Sequence, residues 1–341
     1  MIERFPEEKL KEVSALLNKP SRILITTHHR PDGDAMGSSL ALLLYFQAKG
    51  FSPILLVPCE YPDFLQWLPG NDQVLNFEDD ESHAEELVND SDMIFCLDFN
   101  WLSRVEKMEP LLRKSKAVKI LIDHHLNPES IFEYTFSYPD ASSTSELIFD
   151  YIKASGDEKL ISPDIATALY CGIMTDTNSF RYESMKAGTH RIIASLIEAG
   201  ARNHLIHQNV YDSNTENRLR LLGYALKEKL VVLREFRCAY ISLSEKELEM
   251  FNFRTGDTEG VVNYALSILG VELAALFTER EGFVKISFRS KTDFSVQELS
   301  SAHFNGGGHK NASGGRYNGP LSEAIMTFLD ILPEYKEKLL K

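Results

Sequence analysis

Short apolar runs, each ending in polar residues, recur along the first half of the chain. Residues 22–27 (RILITT), 52–58 (SPILLVP), 92–99 (DMIFCLDF) and 117–125 (AVKILIDHH) are nearly continuous in apolar residues over a strand's length. That is the pattern of strands buried on both faces. Between the first two, GSSLALLLYFQAKG (37–50) predicts a helix closed by Gly50. Alternation of such runs with helices predicts βαβ units and a parallel sheet. A further helix is predicted in SPDIATALYCGIMTDTNSF (162–180), with Ser162 as N-cap, Pro163 at the first helical position and an end near Asp176.

The second half reads differently. VVLREF and CAYISLS are expected to pair as strands, and VELAALFTERE with GFVKISFRS predicts a hairpin turning at Glu281-Gly282. SVQELSSAHF carries Ser295 and Glu298 in capping-box spacing, so a helix should lead into the glycine-rich GGGHKNASGG (306–315). Residues 190–228 are rich in helix formers and poor in Gly and Pro. The expected architecture is α/β: an N-terminal domain (1–190) with a mainly parallel sheet flanked by helices, a helical connector (191–228), and a smaller C-terminal α+β domain (229–341) with a mixed sheet.

Length and composition fit this picture. A chain of 341 residues with 43% apolar residues is globular and long enough for about two domains. The net charge of -14 argues against duplex nucleic acid or an anionic membrane as partner. The acidic run 78–92, with no Lys or Arg, reads as a solvated helix face. Four dispersed cysteines form no CxxC pair, there is no apolar leader, and no run reaches a membrane helix's ~18 residues, so a cytoplasmic protein with reduced core cysteines is expected. Trp67 and Trp101 have rings able to stack on bases, but both sit among apolar neighbours, so core packing is the expectation.

The polar clusters are the candidate chemistry. In a parallel sheet, ligands collect beyond the carboxyl ends of the strands. His28, Asp32 and Asp34 follow the first predicted strand, Asp98 ends the third and His124 ends the fourth, while Asp176 closes the predicted helix. Any one alone would be a capped turn or surface group. Six together, rich in carboxylate and imidazole and without thiolate, suit Mn²⁺ or Mg²⁺, with Co²⁺, Fe²⁺ or Zn²⁺ also allowed. Six ligands are too many for one catalytic ion with open positions and reasonable for two sharing a carboxylate.

HHRPDGDAMGS, LDF, DHH and MTDTNSF resemble, in order and approximate spacing, the four motifs of the DHH phosphoesterase superfamily. GGGHKNASGG resembles the glycine signature of the first type of DHH-associated domain, so the resemblance spans positions 28 to 315. Within the superfamily, length and layout most resemble the NrnA-type members. The resemblance implies one cation, preferably Mn²⁺, on His28, Asp32 and Asp98 and a second on Asp34, Asp98, His124 and Asp176, with Asp98 shared. It further implies that His125 contacts substrate phosphate with support from Asp123, and that Arg289, Gly306, Gly307, Gly308 and His309 grip the substrate.

The implied activity is hydrolysis of short single-stranded oligoribonucleotides to mononucleotides and dephosphorylation of 3′-phosphoadenosine 5′-phosphate (pAp), through a two-metal-activated hydroxide. Cyclic di-AMP or pApA hydrolysis is the alternative, ahead of exopolyphosphatase or pyrophosphatase activity; the resemblance also allows a homodimer. A nucleotide-binding protein with a weakened centre is a third class, against which the intact ligand set counts. The sequence departs from the family pattern at Asn178 and Asn305, where Gly is usual, and at Ser313, where Ala is usual.

Overall fold

The computed structural model describes residues 4–17, 21–182, 185–280, 282–291 and 293–340. The chain divides into two compact units, Met1–Ser213 and Asn214–Lys341.

In the first unit the helices are α1 (Glu7–Leu17), α2 (Gly33–Ala48), α3 (Glu81–Asp90), α4 (Glu109–Lys114), α5 (Thr144–Ala154), α6 (Pro163–Asp176), α7 (Ala187–Glu198) and α8 (Asn203–Tyr211). The strands are β1 (Ile23–Thr27), β2 (Ile54–Val57), β3 (Val74–Asn76), β4 (Met93–Leu97), β5 (Val118–Asp123) and β6 (Tyr134–Ser137). They form one parallel sheet in the order β3-β2-β1-β4-β5-β6. The four predicted runs supply β1, β2, β4 and β5. Alternate residues of each strand feed two cores: Ile23, Ile25, Phe95 and Ile122 pack under α2, α5 and α6, while Leu24, Ile94, Cys96 and Leu121 face α3 and α4.

The strand order reverses between β1 and β4. In a doubly wound sheet that reversal opens a crevice at the carboxyl edge. Helix α2 begins at Gly33, four residues before its predicted start, because the Asp32 carboxylate caps it, accepting from the Asp34 and Ala35 N–H groups. Helix α6 runs as predicted, with Ser162 accepting from Ile165 N–H.

Helices α2 and α6 meet at glycines. A Cβ on Gly37 would lie 2.6 Å from the Ala168 carbonyl oxygen and 2.9 Å from Gly172 N, so only glycine lets the backbones approach this closely.

The second unit contains α9 (Glu216–Tyr224), α10 (Glu245–Met250), α11 (Val261–Leu266), α12 (Val296–His303) and α13 (Leu321–Leu340). Its strands are β7 (Leu230–Leu233), β8 (Cys238–Leu243), β9 (Leu273–Arg280), β10 (Phe283–Ser290), β11 (Gly307–His309) and β12 (Ala312–Tyr317). The sheet order is β11-β12-β10-β9-β8-β7, with β8 and β9 parallel and the other pairs antiparallel. Both expected strand pairs form; Glu281 of the predicted turn lies outside the described residues. Ser295 caps α12 by accepting from Glu298 N–H. The stretch expected as a connector is helical but divided: α7 and α8 belong to the first unit and α9 to the second.

All four cysteines are buried and unbridged. No helix among the described residues is long and apolar enough to cross a membrane. Trp67 packs against the first core, but Trp101 is 48% exposed and corrects the expectation of core packing. Its indole N–H finds an acceptor, the Asn127 carbonyl at 2.9 Å, at the surface.

A buried ion network ties the N-terminal arm to α5. Arg4 donates to Glu146 (2.6 Å), Asp150 (2.9 Å) and Asp140 (3.3 Å), while Phe5 packs on Phe136. Glu146 also accepts from the Ser142 and Thr189 hydroxyls. Burial works to raise the Glu146 carboxyl, but the hydrogen bonds from Ser142 and Arg4 hold it below its ordinary range. Removing one partner would leave buried charge uncompensated. Arg4→Ala should therefore destabilise the first unit by about 3–5 kcal/mol, read as a lower urea midpoint; an unchanged midpoint would show the arm to be unanchored.

Candidate metal centre

The carboxyl edge of the first sheet gathers six side chains. His28 follows β1, Asp32 and Asp34 begin α2, Asp98 follows β4, His124 follows β5 and Asp176 ends α6. His28, Asp34, Asp98 and His124 are buried. Asp98 holds a left-handed backbone (φ 63°), a strained conformation for a residue with a side chain.

Asp98 stands between two sets of donors. One oxygen, Oδ2, lies 3.6 Å from His28 Nε2, which is 3.9 Å from Asp32 Oδ1. The other, Oδ1, lies 3.4 Å from His124 Nε2, which is 3.8 Å from Asp34 and 3.6 Å from Asp176. His28 with Asp32 and Asp98, and Asp34 with His124 and Asp176, are each grouped closely enough to hold a metal ion. His28 Nδ1 lies 3.0 Å from the His29 carbonyl, which can only accept, so Nδ1 keeps its proton and Nε2 is the nitrogen left to face a cation.

Electrostatics shows what the cluster demands. Burial, reinforced by Asp98 and Asp176, pushes the Asp34 carboxyl well above its ordinary range, and removal from water pushes Asp176 up to about 6. Burial opposes charge on Asp98 and His124 as well. For these two the hydrogen bond between them prevails, holding Asp98 well below the carboxylate range and His124 well above the imidazole range. Without cations, the cluster must import protons to offset its own negative charge. Divalent cations supply that compensation directly, and a set of oxygen and imidazole donors without thiolate fits them.

A second layer fixes the first, and sequence reasoning missed it. The N-terminus of α5 clasps Asp34: Thr144 N–H donates to Oδ2 (2.6 Å) and Ser145 N–H to Oδ1 (2.8 Å). Thr144 Oγ1 donates to Asp98 Oδ1 at 2.9 Å. The signal was present as S-x-x-E at 143–146, where Ser143 caps the helix by accepting from Glu146 N–H. Gly172 lies behind Asp34, where a Cβ would meet Ser145 Oγ and come within 2.9 Å of Asp34 Oδ1. Asp123 clamps His125, accepting from its backbone N–H (3.0 Å) and lying 2.7 Å from Nδ1. After Asp176, Asn178 adopts φ 50°, the left-handed turn that Asn tolerates better than most residues.

In the second unit, β11 makes residues 307–309 an edge strand rather than an open loop. Gly306 packs against the Gly314 carbonyl, and Gly308 has φ 138°, so part of the glycine signature serves close strand packing. Register places Arg289 and His309 each opposite Ala312, on the two strands flanking β12. Directly opposed residues share a face, so these two flank a small alanine on one side of the sheet. Arg289 Nη1 donates to the Phe288 carbonyl, while its buried Nε has no partner.

Comparison with known proteins adds a decisive fact. The DHH family N-terminal domain matches residues 22–173, and the DHHA1 domain matches residues 239–338. The chain belongs to the DHH family. It is 27% identical over 305 residues to the probable bifunctional oligoribonuclease and PAP phosphatase NrnA of Streptococcus mutans, covering 89% of this chain and 92% of that protein. It is 28% identical over 347 residues to the cyclic-di-AMP phosphodiesterase GdpP of Bacillus subtilis, covering 96% of this chain but 49% of that protein. A crystal structure of an exopolyphosphatase-related protein from Bacteroides fragilis is 38% identical, covers 98% of both chains and superposes with a TM-score of 0.93.

Partners of metal ligands typically govern affinity by about 10–100-fold. Thr144→Val should weaken Mn²⁺ binding by that order in calorimetric titration with little change in melting temperature, and Thr144→Ser should restore it. Unchanged metal affinity in Thr144→Val would remove Thr144 from this role.

Proposed function

We propose that this DHH-family protein is a phosphoesterase that hydrolyses short oligoribonucleotides to mononucleotides and removes the 3′-phosphate of pAp, using two divalent cations, preferably Mn²⁺. The observation that carries the reading is Asp98, whose two oxygens face separate donor sets. His28, Asp32 and Asp98 would hold one cation, and Asp34, Asp98, His124 and Asp176 the other. When bound, such a pair supplies Lewis acidity to a phosphate ester and brings the pKa of water near neutrality.

The chain's own residues do the rest. Asp123 fixes the His125 ring. His125 then donates to a phosphate oxygen as negative charge develops in the transition state. Thr144 and Ser145 keep Asp34 and Asp98 aimed while the ester reacts. In the second unit Arg289 and His309, with the backbone of Gly307 and Gly308, bind substrate phosphate. The Gly306 N–H instead donates to the Ser300 carbonyl at 3.1 Å, which corrects the expectation that it grips substrate.

Similarity along nearly the full length of both chains supports the NrnA-type activity, whereas the GdpP match covers about half of that protein. The net charge of -14 favours a short ligand over a long duplex. The match to GdpP makes cyclic di-AMP hydrolysis the second reading.

Incubating the Mn²⁺-loaded protein with a diribonucleotide, pAp, cyclic di-AMP, pyrophosphate and polyphosphate separates these readings. The diribonucleotide and pAp should be turned over fastest. Faster cleavage of cyclic di-AMP would move the assignment to the second reading, and turnover of none would overturn both. Arg289→Ala and His309→Ala should each raise KM for the diribonucleotide while metal content stays unchanged.

A further inference from the structure

Beyond β4 and β5 lies an exposed apolar patch that the metal centre leaves unused. Trp101 comes three residues after Asp98 and is 48% exposed; Leu126, next to His125, is 52% exposed. Both sit on loops that leave the carboxyl ends of adjacent strands, the edge that gathers the candidate ligands.

These loops are braced against each other. Trp101 Nε1 donates to the Asn127 carbonyl (2.9 Å), and Asn100 Nδ2 donates to the Leu126 carbonyl (2.6 Å). Glu129 N–H donates to the Asn100 carbonyl (2.8 Å). The Glu129 carboxylate accepts from Leu102 N–H (3.0 Å) and from Arg113 (2.7 Å). An indole tied at its N–H edge yet left half in water loses rotational freedom without the gain of burial. That combination suits an aromatic surface prepared for a ligand: a stacked ring recovers the buried area at little further entropic cost.

We propose that Trp101, with Leu126 across the braced loops, is a stacking platform for a nucleobase of the substrate. The proposal rests on the phosphoesterase reading above and assigns the base a place that the phosphate-binding residues do not supply. Stacking on an indole accepts every base, because every base has a π-face. An enzyme that trims oligoribonucleotides of any sequence requires such tolerance.

The test uses the full-length, Mn²⁺-loaded protein and two readouts. The first is the ratio of kcat/KM for a diribonucleotide to that for the same phosphodiester backbone lacking bases. Trp101→Ala should lower this ratio about 10-fold or more, the loss of one stacked base, and Trp101→Phe should recover most of it. The second is fluorescence. Trp67 and Trp101 are the only tryptophans, so in a Trp67→Phe background the emission reports Trp101 alone.

Adenosine 5′-monophosphate should quench that emission saturably, and ribose 5-phosphate should not. An unchanged ratio in Trp101→Ala, or equal quenching by the two ligands, would overturn the platform. A dimer that falls apart in Trp101→Ala with the ratio unchanged would assign the patch to a second copy of the chain instead, and would equally overturn it. If the wild-type protein turned over no nucleotide while the monophosphate still quenched Trp101, the phosphoesterase reading would fall and the platform would stand.

Discussion

Mutual repulsion among buried carboxylates is the constraint around which the first unit is organised. Asp34 and Asp98 are almost fully removed from water and each lies within 4 Å of His124, as does Asp176. Two histidines cannot neutralise four carboxylates, counting Asp32. Clustered negative charge of this kind persists only where something positive compensates it. The divergent shifts of Asp34 and Asp98, one carboxyl driven up and the other down, show a cluster sharing too few positive partners. The proposed pair of divalent cations would resolve the imbalance and would supply the chemistry of phosphate-ester hydrolysis.

The fold brings these groups together by topology rather than by local sequence. His28 and Asp98 are 70 positions apart, yet they follow neighbouring strands at the point where the sheet order reverses. Asp34 and Asp176 ride on helices that touch through Gly37 and Gly172, where any side chain would force the pair apart. The N-terminus of α5 then grips two of the carboxylates, and Arg4 anchors that helix from outside through Glu146. Sheet order, glycine contact and helix cap therefore form one chain of cause leading to the site.

Much of this was legible in sequence, for definite reasons. Buried parallel strands write themselves as apolar runs, so β1, β2, β4 and β5 were readable, and the polar residue ending each run marked the functional edge. Short β3, partly exposed, and β6 lack such a run and escaped notice. Asp32 was read as a ligand candidate, but it also caps α2, which is why that helix starts earlier than its apolar stretch suggests. Thr144 was missed because a backbone N–H and a hydroxyl aimed at distant carboxylates leave no periodic trace. Trp101 was misjudged because its apolar neighbours Phe99 and Leu102 are buried while the indole between them is turned to the surface, where its loop is braced between residues 100–102 and 126–129.

The most direct measurement is anomalous diffraction from a crystal of the protein soaked in Mn²⁺. Two peaks roughly 3.5–4 Å apart are predicted, one beside His28 and Asp32, the other beside Asp34, His124 and Asp176, with Asp98 touching both. A single peak without Asp98, or no manganese among these side chains, would contradict the shared-carboxylate centre on which the function has been argued.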